Sequence, residues 1–126
     1  MEESTHIVIK IKSTNLALVP EVEAYIRTKI QMLEKFFSYY AKEGGELLFE
    51  IEIGKITEHH RKGDIFRAEI NCTAGGAQFR SEAEKDDIHT AIDEAKDELS
   101  RELRKHKNKY SALVRRGGAA LKKFLH

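Results

Sequence analysis

Ile7, Ile9 and Ile11 alternate with Val8, Lys10 and Lys12 near the start of the chain. A two-residue period rich in β-branched residues predicts a strand with one covered face, ended by Ser13-Thr14-Asn15. Pro20 then stands where a first helical residue belongs. Behind it Val22, Ile26, Ile30, Leu33, Phe37 and Tyr40 recur every three or four positions, which predicts a helix from about 20 to 41, stopped by Gly44-Gly45. Three further alternations follow. Leu47, Phe49, Ile51 and Ile53 form one, Phe66, Ala68, Ile70 and Cys72 the next, and Ala77, Phe79, Ser81 and Ala83 the last. Each reads as a strand with one face in and one face wet, which suits an antiparallel sheet covered on one side. Gly75-Gly76 sits between the last two and predicts a tight hairpin.

A second helix begins near Lys85-Asp86-Asp87, acids that suit a helix N-terminus. Its apolar stripe is Ile88, Ile92, Ala95, Leu99 and Leu103, extended by His106 and Tyr110, so the helix is expected to end near Tyr110. The order β-α-β-β-β-α, with two striped helices and a one-sided sheet, predicts an α+β two-layer sandwich: a four-stranded sheet with both helices packed on one face. The expected organisation is one domain, residues 1–110, followed by a basic tail, residues 111–126. At 126 residues one core suffices without staples.

The net charge of +1 hides a split. Residues 1–99 carry 13 Lys and Arg against 20 Asp and Glu, and residues 100–126 carry 9 against 1. Such asymmetry points to a polyanion-binding end on an acidic body. At about 100° per residue, Arg101, Lys105 and Lys109 share one flank of the second helix. Arg104 projects outward, Lys107 and Lys96 lie toward the other flank, and none of the six belongs to the buried stripe. Arg27 and Lys35 add to the rack if the first helix packs alongside. Cations on successive turns, 5.4 Å apart, can each meet a backbone phosphate and release its counterion.

The bland account is a solvated helix end. Glu98 and Glu102 can pair with Arg101 and Lys105, and cations near a C-terminus favour the helix macrodipole by up to about 1 kcal/mol. One or two cations satisfy those effects. Six Lys and Arg within residues 96–109 exceed them, and the excess favours a ligand.

Other chemistry is thinly supplied. Cys72 is the only cysteine, which excludes an intrachain disulfide and a multi-cysteine metal cluster and fits a reducing compartment. Cys72 itself, in an alternating strand, reads as a small core residue. His59-His60, flanked by Glu58 and Asp64, lack the spacing of a metal site and read as polar loop. No nucleophile elbow, phosphate-binding glycine loop or His-Glu helix motif is present, so neither an enzyme nor a cofactor is expected. Tyr25, Tyr39, Tyr40 and Tyr110 read as rim residues of the core. Glu50, Glu52, Glu69 and Glu82 on the open sheet face argue against RNA lying on the strands. No apolar run approaches the roughly 20 residues of a membrane span, and MEESTHIVIK has acids where a signal peptide carries cations. A cytoplasmic protein is expected.

The motif LEKFF (Leu33 to Phe37), the Gly75-Gly76 hairpin and the run DDIHTAIDEAKDELSRELRKHKNKY (Asp86 to Tyr110), set in the β-α-β-β-β-α order, resemble the ribosome hibernation-promoting factor family. That family is also called ribosome-associated inhibitor or sigma-54 modulation protein. The resemblance covers roughly residues 6–110 and is most specific in the last helix. It implies a non-enzymatic factor that binds the small ribosomal subunit and its 16S-type rRNA in the decoding channel. There it would compete with mRNA and tRNA, inhibit translation by occupancy and preserve idle ribosomes, with no small-molecule substrate. It also implies a fold like the double-stranded-RNA-binding domain, which reads shape and backbone. Carried over by position, Arg101, Lys105 and Lys109 match basic family positions, and Lys107 a frequently basic one. Glu98 stands where relatives often have Lys, His89 replaces a Tyr, and Val19 replaces a helix-capping Thr. Longer members add a C-terminal dimerisation domain; only 16 residues follow Tyr110, so none is expected here. The cation rack alone also fits a module for other structured RNA, or one for an acidic protein partner.

Overall fold

A computed structural model describes residues 6–37, 46–56 and 63–117 of the chain. The elements are β1 (His6–Thr14), α1 (Pro20–Gln31), a 3-10 turn (Glu34–Phe37), β2 (Glu46–Ile56), β3 (Ile65–Ala74), β4 (Ala77–Lys85) and α2 (Ile88–Arg116). The strands line up in the order β1-β2-β3-β4. β2, β3 and β4 are antiparallel neighbours, whereas β1 runs parallel to β2. The sheet is therefore mixed, a correction to the antiparallel expectation. Strands joined through a helix can run parallel, because the crossover carries the chain back to the end where it started. The hairpin stands as expected: Ala74 pairs with Ala77 across a two-residue turn, and Gly75 takes a φ of 60° that glycine adopts without strain.

One face of the sheet is covered. Leu47, Phe49, Ile51 and Ile53 from β2 and Ala68, Ile70, Cys72 and Ala74 from β3 are buried beneath it. Val22, Ile26, Ile30, Leu33, Phe36 and Phe37 reach them from the first helical segment, and Ala91, Ile92, Ala95, Leu99 and Leu103 from α2. Burial pushes the Cys72 thiol up to about 12, in keeping with a core residue. The buried Ser81 hydroxyl donates to the Ala95 carbonyl at 2.7 Å and pins β4 to the middle of α2.

Two helix ends differ from expectation. The first helix stops at Gln31 instead of near 41. Beyond it the N–H groups of Met32, Leu33 and Phe36 bond three residues back, to Lys29, Ile30 and Leu33. That tighter winding stacks Leu33 and Phe36 on one side, and both are buried. Tyr39, Tyr40 and Gly44-Gly45 lie outside the described residues, as do His59-His60 and residues 118–126. The second helix overruns Tyr110 by six residues and ends at Gly117, whose N–H bonds to the Leu113 carbonyl at 3.1 Å. Residues 111–116 are thus helix rather than tail.

Candidate nucleic-acid interface

Packing fixes which way α2 faces. Leu99 and Leu103 are at most 1 % exposed. Turning the helix by one position would lift both off the sheet at roughly 2 kcal/mol each and drive charged neighbours inward. The Asp87 carboxylate caps the start, accepting from the Thr90 backbone N–H at 3.0 Å, and this interaction holds the Asp87 carboxyl below its ordinary value. Far from that cap, Arg101, Arg104, Lys105, Lys107 and Lys109 are all exposed. Arg101, Arg104 and Lys107 make no hydrogen bond or ion pair with any described residue. Lys105 stands 3.8 Å from Glu102 with its side chain 78 % exposed, a contact of little energetic consequence. The ion pairs expected with Glu98 do not form at Arg101 or Lys105. Past Leu103, His106 still leans on the sheet edge, its ring edge-on to Phe79 at 4.9 Å. Burial and the nearby Lys109 lower the His106 pKa, so the imidazole sits neutral beneath the cations.

The remaining predicted positions are less uniform. Lys96 is only about 60° around the helix from Leu99. Its side chain is 19 % exposed and its Nζ lies 3.4 Å from Asp97, so it flanks the buried stripe rather than standing clear of it. Arg27 is exposed but paired within α1 to Glu23 at 3.2 Å. Lys35 is on the 3-10 turn, not on the helix, with its Nζ 5.4 Å from the Phe36 ring centroid.

A polar clasp that sequence reading missed sets the helices side by side. His89 meets Glu21 through Nε2 and Oε2 at 2.7 Å, the Tyr25 hydroxyl donates to Asp93 at 2.5 Å, and Lys29 reaches the same carboxylate at 3.1 Å. Tyr25 and His89 also stack edge to face, with centroids 4.7 Å apart. Glu21 holds the His89 pKa above its ordinary value. Both cross-helix hydrogen bonds join residues 68 positions apart, so α1 and α2 run parallel. Within α1 that offset leaves Arg27 level with Ala95, behind the basic end of α2; beyond α1, the Phe37 ring of the 3-10 turn faces Phe79, which His106 also contacts. The geometry thus gathers Arg101, Arg104, Lys105, Lys107 and Lys109 at one end of α2, with Lys35 on the separate 3-10 turn, and does not bring Arg27 or Lys96 into the group.

The acidic residues expected on the open sheet face are there, and part of their charge is paired within the face. Glu52, Glu69 and Glu82 stand directly opposite one another across β2, β3 and β4, with Lys12 next in the same row. Arg67 bridges Glu69 and Glu82, and Arg80 does the same from β4. That row is internally paired, while Glu50 and Glu84 on the same face are exposed and bond to no described residue. Among the described residues, the exposed cations with no hydrogen bond, ion pair or ring contact are Lys10 on β1 and Arg101, Arg104, Lys107, Arg115 and Arg116 on α2.

Curated relatives match the chain at low identity. The chain is 26 % identical over 99 residues to a ribosome hibernation promotion factor of Picosynechococcus, covering 79 % of this chain and 48 % of that protein. It is 27 % identical over 101 residues to a ribosome hibernation promoting factor of Klebsiella oxytoca, covering 80 % and 94 %. The chain therefore spans about half the length of the first and nearly all of the second. Among solved structures, the Thermus thermophilus Protein Y N-terminal domain superposes with a TM-score of 0.64 at 24 % identity, covering 80 % of this chain and 98 % of that one. A ribosomal subunit interface protein from Coxiella burnetii superposes at 0.62 and 16 %, covering 79 % and 97 %, and both share the α+β fold. No described helix is long and apolar enough to cross a membrane. The profile of the sigma 54 modulation protein / S30EA ribosomal protein family matches residues 9–111, and the chain belongs to that family.

Proposed function

We propose that this chain is a ribosome hibernation factor that binds the small ribosomal subunit in the channel used by mRNA and tRNA, and that it silences translation by occupying that channel. The observation that carries the reading is the set of exposed cations on α2, of which Arg101, Arg104 and Lys107 bond to no described residue. Their helix is locked by Leu99 and Leu103 against the sheet, so they are presented as a preformed row rather than as a tail to be ordered on binding. Relatives named for ribosome hibernation support the partner. The action requires no catalysis: a rigid body held by phosphate contacts excludes the RNAs that need the same space.

Arg101→Glu combined with Lys105→Glu tests it. Both side chains face solvent, so the circular dichroism spectrum and melting temperature should stay near wild type. Co-sedimentation with small subunits should fall sharply, and wild-type binding should weaken as salt rises. Deacylated tRNA filling the decoding sites should displace the wild type. Undiminished co-sedimentation of the double variant would remove the mechanism. Loss of binding without tRNA competition would point to another structured RNA surface, and binding that survives RNase would point to an acidic protein.

A further inference from the structure

The family match ends at residue 111, but α2 continues to Arg116. Those added residues are helix with a proper end. Gly117 adopts a φ of 115°, and its N–H closes on the Leu113 and Val114 carbonyls. The last turn holds Arg115 and Arg116, both exposed and neither bonded to any described residue.

Their placement around the helix is what makes them more than end decoration. At about 100° per residue, Arg115 falls within roughly 40° of Arg101 and 20° of Arg104, and Arg116 within about 20° of Lys105 and Lys109. The two strips of cations begun at Arg101 therefore each gain one further member. At 1.5 Å per residue the row grows from about 12 Å, Arg101 to Lys109, to about 22 Å at Arg116. A macrodipole account needs a cation in the last turn but is indifferent to which side it faces. Here both continue the strips already laid out, with no acid among residues 103–117 to offset them.

We infer that Arg115 and Arg116 form a further phosphate-binding segment, which lengthens the RNA contact of α2 by two backbone phosphates beyond residue 111, where the family match ends. The inference rests on the ribosomal reading above.

The test is the salt dependence of binding to purified small ribosomal subunits. It compares wild type, Arg115→Gln with Arg116→Gln, and Arg101→Gln with Arg104→Gln. Each phosphate contact contributes roughly 0.7 to 0.9 to the log–log slope, so the Arg115/Arg116 variant should lose about 1.5 from it. Between 50 and 200 mM salt its affinity should accordingly fall by roughly tenfold less than that of the wild type. A wild-type slope in that variant, with a reduced slope in the Arg101/Arg104 variant, overturns this inference alone. Wild-type slopes in both variants overturn the ribosomal reading with it.

Discussion

Replacing Glu69 by glutamine probes how the open sheet face holds three acids in a row. Glu52, Glu69 and Glu82 are directly paired across three strands, an arrangement that repels when unscreened. Glu69 escapes that penalty through its neighbours. Its Oε2 accepts from the Asn71 amide at 2.9 Å and from the Arg80 Nε at 3.0 Å, and Arg67 stands 3.0 Å from its Oε1. These donors hold the Glu69 carboxyl down at about 2 against an ordinary 4.5, with Asn71 the largest influence, then the two arginines. A gap of that size corresponds to about 3 kcal/mol at most, since each pK unit is worth 1.36 kcal/mol. Arg80 is more than half exposed and Glu82 half exposed, so solvent screening brings the expected cost of Glu69→Gln to about 1–1.5 kcal/mol at pH 7. Because the folded value is depressed, this stability is present above the unfolded value of about 4.5 and disappears as pH falls through the folded one. Urea unfolding of both proteins from pH 7 to pH 3 reads it directly. The separation between their unfolding free energies should shrink to less than half by pH 3. A separation that stays constant over that range would refute the claim that the carboxylate is held ionised by Asn71, Arg80 and Arg67.

Two other outcomes follow from the helix ends and their clasp. Val19 caps α1 with no side-chain hydrogen bond and is 45 % exposed, so Val19→Thr should stabilise the protein by about 1 kcal/mol, seen as a raised midpoint in thermal or urea unfolding. The two α2 imidazoles should titrate on opposite sides of the ordinary histidine value by NMR, His89 above and His106 below, and Glu21→Gln should bring only His89 back toward it. The His89–Glu21 contribution to stability is present at acid pH and is lost as pH rises through the folded His89 value.

Much of this was legible before any coordinates, for a geometric reason. Alternation and three-to-four spacing report which side of an element is buried, and the same rotation places Arg101, Arg104 and Lys105 opposite Leu99 and Leu103. What stayed hidden depends on relations between elements. The parallel pairing of β1 with β2 is a property of the crossover, not of either strand's pattern. The clasp of Glu21, Tyr25 and Lys29 with His89 and Asp93 joins residues far apart in the chain, each of which reads locally as ordinary surface. Lys96 lies outside the buried stripe as read, but at its margin, where a long aliphatic stem is packed although its head stays near water. Of the outer glutamates, Glu69 and Glu82 are paired in a way their positions alone do not reveal, since Arg67 and Arg80 occupy the diagonals between them. The early end of α1 is a change of winding within an unbroken apolar pattern, and periodicity cannot register that.

The parallel setting of the helices has a consequence at distances beyond any contact. Glu21 near the start of α1 and Asp86, Asp87 and Glu94 near the start of α2 share one pole of the helical layer, while Arg101 to Arg116 load the other. A body so polarised experiences a torque in the field of a polyanion before it touches it. It swings its cationic pole forward as it approaches, so a greater fraction of encounters begins in the right attitude, and that advantage fades as ions shorten the Debye length.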